Sequence, residues 1–183
     1  MVYVFLADGF EECEALIPVD ILRRGGIDVK TVGVTGRTVT GAHGIPVVCD
    51  ITADSARTDG LCAVVLPGGM PGTLNLKNSA RVKEFLEYAN GRGLLTAAIC
   101  AAPSVLGGLG ILRGKKATCF PGFENELVGA EVLKEPVVRD GNVITSRGAG
   151  TAFRFGFCLL AAITGDEAAA QRLAEDMIYG KLK

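Results

Sequence analysis

Short apolar stretches of strand length alternate with amphipathic stretches of helical spacing, and this alternation constrains the fold more than any other feature. The apolar stretches are residues 2–7, 29–34, 61–66 and 94–99, and the helical ones are 13–24, 79–90, 151–164 and 166–179. Buried strands joined by helices form a parallel sheet that helices cover on both faces. Because such crossovers are right-handed, the pattern predicts an α/β fold, a doubly wound sandwich around a mostly parallel sheet.

Two segments depart from the alternation. A segment rich in glycine and threonine, residues 35–44, leads into the short apolar run 46–49, and we expect a hairpin on one side of the fold there. Asp140-Gly141 is a turn signal that predicts a second hairpin. The chain has 183 residues and contains no internal repeat or low-complexity linker, so we expect one domain over residues 1–183.

The charge balance excludes several classes of partner. The net charge is −1 and there is no basic block, which leaves no signature for binding nucleic acid or an anionic membrane. The apolar residues 1–6 lack a charged region before them and are soon followed by Asp8, which argues against a signal peptide or a membrane span. We therefore expect a cytoplasmic protein whose partners are small molecules or proteins.

The six cysteines are dispersed: they are Cys13, Cys49, Cys62, Cys100, Cys119 and Cys158. No two have the close spacing of a zinc or redox pair, so the sequence predicts no thiolate metal site. In a reducing compartment such cysteines are usually small core residues, and Cys62 and Cys158, inside apolar runs, fit this description best.

Cys100 differs from the other cysteines in its position between a predicted strand and a predicted helix. It ends the apolar run 94–99 and is followed by Ala101-Ala102-Pro103 and a helical stretch, which predicts a strand, a sharp turn and a helix. A side chain on such a turn projects from the carboxyl edge of the sheet, where open α/β folds bind ligands. Because a helix N-terminus favours a thiolate, we expect a reactive cysteine.

The fold gathers four loops at that edge: residues 8–14, 67–72, 100–103 and, on a weaker signal, 146–151. In the first loop, Glu11 and Glu12 are explained by a helix start that favours solvated acidic charge. Glu14 lies in a more apolar context. Burial there would raise its pKa, so that it could hydrogen-bond Cys100 or act as a general acid/base.

The second loop begins with Pro67-Gly68-Gly69. Its glycines are explained either by a tight turn or by a functional role. In the functional role, the N–H groups of Gly68 and Gly69 stabilise an oxyanion together with the N–H of Ala101.

Two other kinds of site are disfavoured. The lone histidine, His43, lies in a glycine-rich stretch and is best interpreted as a solvated loop residue, and Ala101 rather than histidine follows Cys100, which argues against a cysteine–histidine hydrolase. Residues 148–153 match a dinucleotide loop only in part, since its last position is Phe153, and no phosphate-binding loop is present.

Together these residues resemble a known family. The matching stretches are Gly9-Phe10-Glu11-Glu12-Cys13-Glu14 with Ile17-Pro18-Val19-Asp20, Leu66-Pro67-Gly68-Gly69, Ala98-Ile99-Cys100-Ala101-Ala102-Pro103, and Thr145-Ser146-Arg147-Gly148-Ala149-Gly150-Thr151. In order and detail they resemble the DJ-1/ThiJ/PfpI superfamily, and within it the DJ-1 branch.

The resemblance implies a flavodoxin-like sandwich that forms a homodimer and needs no cofactor. By motif, Cys100 is the nucleophile and redox centre, Glu14 its protonated partner, and Gly68, Gly69 and Ala101 the backbone donors around it. Members are described as glyoxalases, deglycases, oxidative-stress sensors and chaperones. The chain departs from some members at Phe120, where they carry a histidine.

These observations lead to three functional hypotheses. The first is a glutathione-independent glyoxalase or deglycase that acts on 2-oxoaldehydes, or their early glycation adducts, through a Cys100 hemithioacetal. The second is an oxidative-stress sensor or redox-regulated chaperone that uses the same cysteine. The third, an intracellular peptidase, requires His43 to reach Cys100. A dimer interface at residues 47–49 and an ordinary buried hairpin both remain open.

Overall fold

The computed structural model describes residues 1–182 and is built around a seven-stranded sheet. In chain order the strands are β1 Val2–Leu6, β2 Val29–Gly33, β3 Thr38–Thr40, β4 Pro46–Val48, β5 Ile51–Thr52, β6 Ala63–Leu66, β7 Leu95–Ile99, β8 Lys116–Ala117, β9 Glu131–Val132, β10 Val137–Asp140 and β11 Val143–Ser146. The helices are α1 Glu12–Arg24, α2 Gly72–Asn78, α3 Ala80–Gly91, α4 Pro103–Gly108, α5 Ala152–Thr164 and α6 Glu167–Asp176.

The strand order of the main sheet is β10-β11-β7-β6-β1-β2-β5. Every neighbouring pair is parallel except the predicted β10–β11 hairpin. This confirms the doubly wound α/β fold. Because β1, β6 and β7 lie side by side in the centre and point the same way, the loops that follow them emerge at one edge.

Two apolar cores lie on opposite faces of the sheet. The rings of Phe5 in β1 and Phe85 in α3 pack with centroids 5.4 Å apart on one face, where α2, α3 and α4 lie. The other face carries α1, α5 and α6. A Cβ atom on Gly156 would lie 2.6 Å from Ile21 Cδ1, so the missing side chain lets α5 approach α1 closely. This packing fixes the helix that carries Glu14.

The expected hairpin between residues 35 and 49 is formed by β3 and β4. It is held against the loop that precedes α1: Gly9 N–H donates to Thr40 O at 2.8 Å, and Ala42 N–H donates to Phe10 O at 2.7 Å. The hairpin therefore packs over the N-terminus of α1.

The cysteines are distributed differently from the prediction. Cys62 and Cys158 are only partly buried, whereas Cys49 and Cys119 are buried, with 1% and 3% exposure. Cys62 lies just before β6, where its Sγ contacts Met1 O at 3.1 Å, and Cys158 lies on the less covered side of α5. An apolar stretch does not by itself show which of its residues are buried. No helix within residues 1–182 is long and apolar enough to span a bilayer.

Candidate active site

Cys100 lies on the predicted sharp turn between β7 and α4, with a left-handed φ of 66°. Such a backbone is strained for a residue other than glycine and persists only where its surroundings hold it. Here Cys100 N–H donates to Ser146 O at 2.9 Å, and Cys100 O accepts from Phe120 N–H at 2.8 Å. The turn presents a half-buried thiol at the carboxyl edge of the sheet.

Glu14, in the first turn of α1, is buried at 1% exposure and faces this thiol. Its Oε2 accepts a hydrogen bond from Gly68 N–H at 2.9 Å. Burial raises the pKa of Glu14 to about 7, and the charge of Glu11 adds to the rise, while hydrogen bonds from Cys100 and Gly68 oppose it. The carboxyl therefore exchanges its proton near neutral pH.

The Cys100 pKa is raised to about 12, first by burial and then by the charge and hydrogen bonding of Glu14. The expectation of a favoured thiolate is wrong for this arrangement, because burial and then the facing Glu14 carboxyl raise the thiol pKa. Two adjacent acids of this kind lose their protons one at a time. Glu14 loses its proton first, near pH 7, and burial and the Glu14 charge then keep the second proton on Cys100, so the pair holds one proton between about pH 7 and about pH 12.

The backbone donors divide into two groups. The N–H groups of Gly69 and Ala101 are directed at the Cys100 sulfur and lower its pKa. Gly68 N–H instead binds Glu14, so the expectation that it would donate to an oxyanion is wrong. A Cβ on Gly68 would lie 2.6 Å from both Cys100 Cβ and Glu14 Oε2, so only glycine permits this close approach.

The remaining two loops join the same edge. The loop after β6 binds the loop before α1, since Glu11 N–H donates to Gly68 O at 2.9 Å. At the end of β11, Ser146 O accepts from Cys100 N–H at 2.9 Å, and in the loop that follows, a Cβ on Gly148 would lie 3.9 Å from Glu14 Oε1. All four predicted loops therefore contribute to one site.

Glu12 and His43 form a contact that the sequence did not predict. Glu12 is buried at 6% exposure; its Oε1 accepts from His43 N–H at 2.8 Å and its Oε2 lies 2.7 Å from His43 Nδ1. The expectation that Glu12 is a solvated charge is wrong, because the β3–β4 hairpin folds over it. The His43 side chain is 69% exposed, as expected of a loop residue.

Glu11 accepts a hydrogen bond from Glu14 N–H at 2.7 Å and so caps α1, as expected at a helix start. Ligand atoms of Glu11, Glu12 and His43 lie within 4.8 Å of one another and could hold a metal ion. Both Glu12 oxygens, however, already bind His43.

Known proteins resemble this chain over most of its length. The sequence model of the DJ-1/PfpI family matches residues 1–162. The chain belongs to the DJ-1/PfpI family. A Danio rerio protein named Parkinson disease protein 7 homolog is 42% identical over 173 residues, which are 92% of each chain. A deglycase of Pyrococcus horikoshii is 34% identical over 77% of this chain and 86% of its own.

Solved structures of the DJ-1 superfamily confirm the flavodoxin-like fold. A DJ-1 superfamily protein of Salmonella typhimurium superposes with a TM-score of 0.91 at 40% identity and covers 98% of this chain and 97% of its own. Oxidised DJ-1 of Toxoplasma gondii superposes with a TM-score of 0.92 at 30% identity and covers 97% of both chains.

Proposed function

We propose that the protein is a glutathione-independent glyoxalase or deglycase that converts 2-oxoaldehydes, or their early glycation adducts, into 2-hydroxy acids. The observation that carries this proposal is the contact between Cys100 and Glu14, a nucleophile beside a buried carboxyl that titrates near pH 7. A general acid/base works best when its pKa lies near the operating pH. Relatives that bear the name deglycase support the same class of chemistry.

The first step joins the cysteine to the aldehyde. In the one-proton state the proton lies on the Cys100 sulfur, and the Glu14 carboxylate takes it as the sulfur becomes the nucleophile. The sulfur attacks the aldehyde carbon, a C–S bond forms, and the carbonyl electron pair moves to oxygen. In this proposal the N–H groups of Gly69 and Ala101, which interact with the Cys100 sulfur, stabilise the developing oxyanion. Glu14 then gives its proton to that oxygen, which leaves a hemithioacetal and a carboxylate.

The second step moves one proton between adjacent carbons. The Glu14 carboxylate removes the proton from the carbon that bears sulfur, and the electrons pass into the neighbouring ketone to form an enediolate. Glu14 then returns the proton to the second carbon, while the hydroxyl proton on the first carbon passes to the oxygen on the second. The product is a thioester. Water hydrolyses it to the 2-hydroxy acid and restores the Cys100 thiol, so the reaction needs no external oxidant or reductant.

Turnover of methylglyoxal in glutathione-free buffer tests this proposal. We expect wild-type protein to form lactate and both Cys100→Ser and Glu14→Gln to lose that activity while keeping the native fold by circular dichroism. Substantial lactate formation by either folded variant would rule out the mechanism.

A redox sensor is the second candidate, and the solved structure of an oxidised relative favours it. Two equivalents of peroxide would oxidise the Cys100 thiol to the sulfinic acid, each peroxide being reduced to water. A protonated Glu14 beside the sulfur is placed to donate a hydrogen bond to a sulfinate oxygen. In this role the protein shows little or no aldehyde turnover, and a redox-regulated chaperone activity would follow the same oxidation.

Mass spectrometry after mild peroxide treatment distinguishes selective oxidation of Cys100 from oxidation that simply follows solvent exposure. Cys13 is the exposed cysteine and serves as the internal control. A sensor adds two oxygens to Cys100 before Cys13 reacts, and Glu14→Gln weakens this preference. Oxidation that follows exposure alone, with Cys13 first, would argue against the sensor.

A homodimer and a cytoplasmic location are also part of the proposal. Val48 is 69% exposed in the protomer, whereas Cys49 belongs to the protomer's own core, so an interface at the expected hairpin would use Val48. None of the six cysteines forms a disulfide, which suits a reducing compartment. Light scattering of the wild type and of Val48→Lys tests the dimer: we expect a dimeric wild type and a monomeric variant.

A further inference from the structure

The side chain of Phe120 is left at the surface beside the reactive cysteine. Phe120 N–H donates to Cys100 O at 2.8 Å, so its backbone is fixed one hydrogen bond away from the nucleophile. The residue is nevertheless 47% exposed. A half-exposed aromatic ring offers a flat apolar surface with little conformational entropy to lose on binding.

Gly148 leaves a space between this ring and Glu14. A Cβ on Gly148 would lie 3.3 Å from Phe120 Cδ2 and 3.9 Å from Glu14 Oε1, so both groups face the same volume. The φ of Gly148 is 164°, an extended backbone that any residue can adopt. Glycine at position 148 is therefore explained by the space that it leaves beside Phe120 and Glu14, and not by backbone strain.

The two oxygens of Glu14 have different surroundings. Oε2 accepts from Gly68 N–H, while Oε1 is the oxygen that borders the space at Gly148, 3.9 Å from the position of a Cβ there. Oε1 is therefore the carboxyl oxygen closer to a molecule that enters this space. A substrate that exchanges a proton with Glu14 in this space would place its adjacent carbon substituent against the ring of Phe120.

The charges around the site are unfavourable for anions. The charged groups whose interactions shift the pKa values of Cys100 and Glu14 are carboxylates, those of Glu14 itself and of Glu11. The ring of His43 is engaged by Glu12. No cationic side chain in the described part of the chain shifts the pKa of Cys100 or of Glu14, and Arg147, next to Gly148 in the chain, donates to Lys134 O at 3.1 Å.

We propose that Phe120 and Gly148 form an apolar subsite for the carbon substituent of a neutral 2-oxoaldehyde, so that the protein prefers aryl-substituted and bulky alkyl-substituted glyoxals to glyoxal itself. This inference rests on the proposed function and adds the substrate class. It makes Phe120 a specificity-determining residue, whereas Cys100 and Glu14 carry the chemistry.

The ratio of kcat/KM for phenylglyoxal to that for glyoxal tests the subsite during turnover. Loss of an aromatic contact in Phe120→Ala lowers this ratio by about tenfold. Gly148→Ala also lowers it, because the added methyl group occupies the space. Phe153→Ala is the matched control, since Phe153 is a second exposed phenylalanine that stacks on Tyr179. An equal ratio in the wild type, Phe120→Ala and Phe153→Ala overturns the proposal.

Alkylation of Cys100 tests the same subsite without turnover. With 2-bromoacetophenone the sulfur forms a bond to the methylene carbon, bromide leaves, and the thiol proton passes to Glu14 or water. We expect Phe120→Ala to slow this reaction by about tenfold relative to alkylation by iodoacetamide. Iodoacetate, scaled to its rate with free cysteine, should be slower than iodoacetamide because it is an anion.

The two assays distinguish the possible failures. Selective loss of 2-bromoacetophenone reactivity in Phe120→Ala supports the subsite even if the protein converts no 2-oxoaldehyde, in which case the proposed function alone fails. If Phe120→Ala changes both alkylation rates by the same factor, the subsite is absent, whatever the turnover.

Discussion

Glu14 and Cys100 hold each other in a state with one shared proton. Burial raises the pKa of Glu14 to about 7, and burial together with Glu14 raises the pKa of Cys100 to about 12. Because the two groups are in contact, removing both protons would bring two negative charges together in a partly dry site. The pair therefore behaves as a single acid/base unit at neutral pH.

Replacing Glu14 by glutamine should abolish proton transfer and preserve the packing. The amide oxygen of the new side chain would still accept from Gly68 N–H, but the amide cannot move a proton, so we expect kcat/KM for methylglyoxal to fall by about 10²–10⁴-fold. Glu11→Gln is the matched control, because its amide oxygen can still cap α1. It should retain activity and shift the acidic limb of the pH profile to lower pH, since the charge of Glu11 raises the pKa of Glu14. Equal losses in both variants would contradict the assignment.

Burial of Glu14 should also make stability depend on pH. Its folded pKa is about 7 against an ordinary value of 4.5, so the folded protein holds the proton more tightly than the unfolded chain does. The free energy of unfolding therefore falls as pH rises from about 4.5 to about 7, by an amount on the order of a few kcal/mol. Urea unfolding at pH 5 and pH 8 should show a larger fall for the wild type than for Glu14→Gln. Parallel changes would show that Glu14 is not responsible.

Gly68→Ala should damage both the site and the fold. Its Cβ would lie 2.6 Å from Cys100 Cβ and from Glu14 Oε2, which forces the pair apart, at a cost on the order of 1–3 kcal/mol in unfolding free energy. Gly150→Ala is the control, since a Cβ there meets nothing within 4 Å. We expect the control to keep its activity and melting temperature. A fully active Gly68→Ala variant would show that the contact is looser than described.

His43→Ala should affect stability and leave the chemistry intact. The Glu12 carboxylate raises the pKa of His43, so the pair stabilises the fold at low pH, and this contribution is lost as pH rises through the raised pKa. The stability difference between wild type and His43→Ala should therefore be larger at pH 6 than at pH 9. Methylglyoxal turnover should persist in the variant. Loss of turnover with an intact fold would instead revive a cysteine–histidine mechanism.

The sequence predicted the parts of this site that depend on local pattern. The strand, turn and helix around Cys100 follow from an apolar run that ends at a proline-marked helix start, and parallel strands then bring the four loops together. Glu14 was identifiable because its neighbours are apolar. The family resemblance pointed to the same two residues.

The features that depend on distant contacts were not predicted. Glu12 is buried only because a hairpin some thirty residues away in the chain folds over it. Gly68 donates to Glu14 and not to an oxyanion because of how two loops meet. The thiol pKa reflects the depth of burial and a facing carboxylate, neither of which can be obtained from the turn alone.

The protonation of the Glu14 side chain is the most direct test of the account. A ¹³C NMR titration of the glutamate carboxyl groups, with the Glu14 signal assigned by its absence in Glu14→Gln, measures it in the intact protein. We predict that Glu14 titrates near pH 7, above the ordinary value of 4.5, and that Cys100→Ala moves its pKa higher because the hydrogen bond from the thiol is lost. Titration near the ordinary value of 4.5, unaffected by Cys100→Ala, would contradict the shared-proton pair.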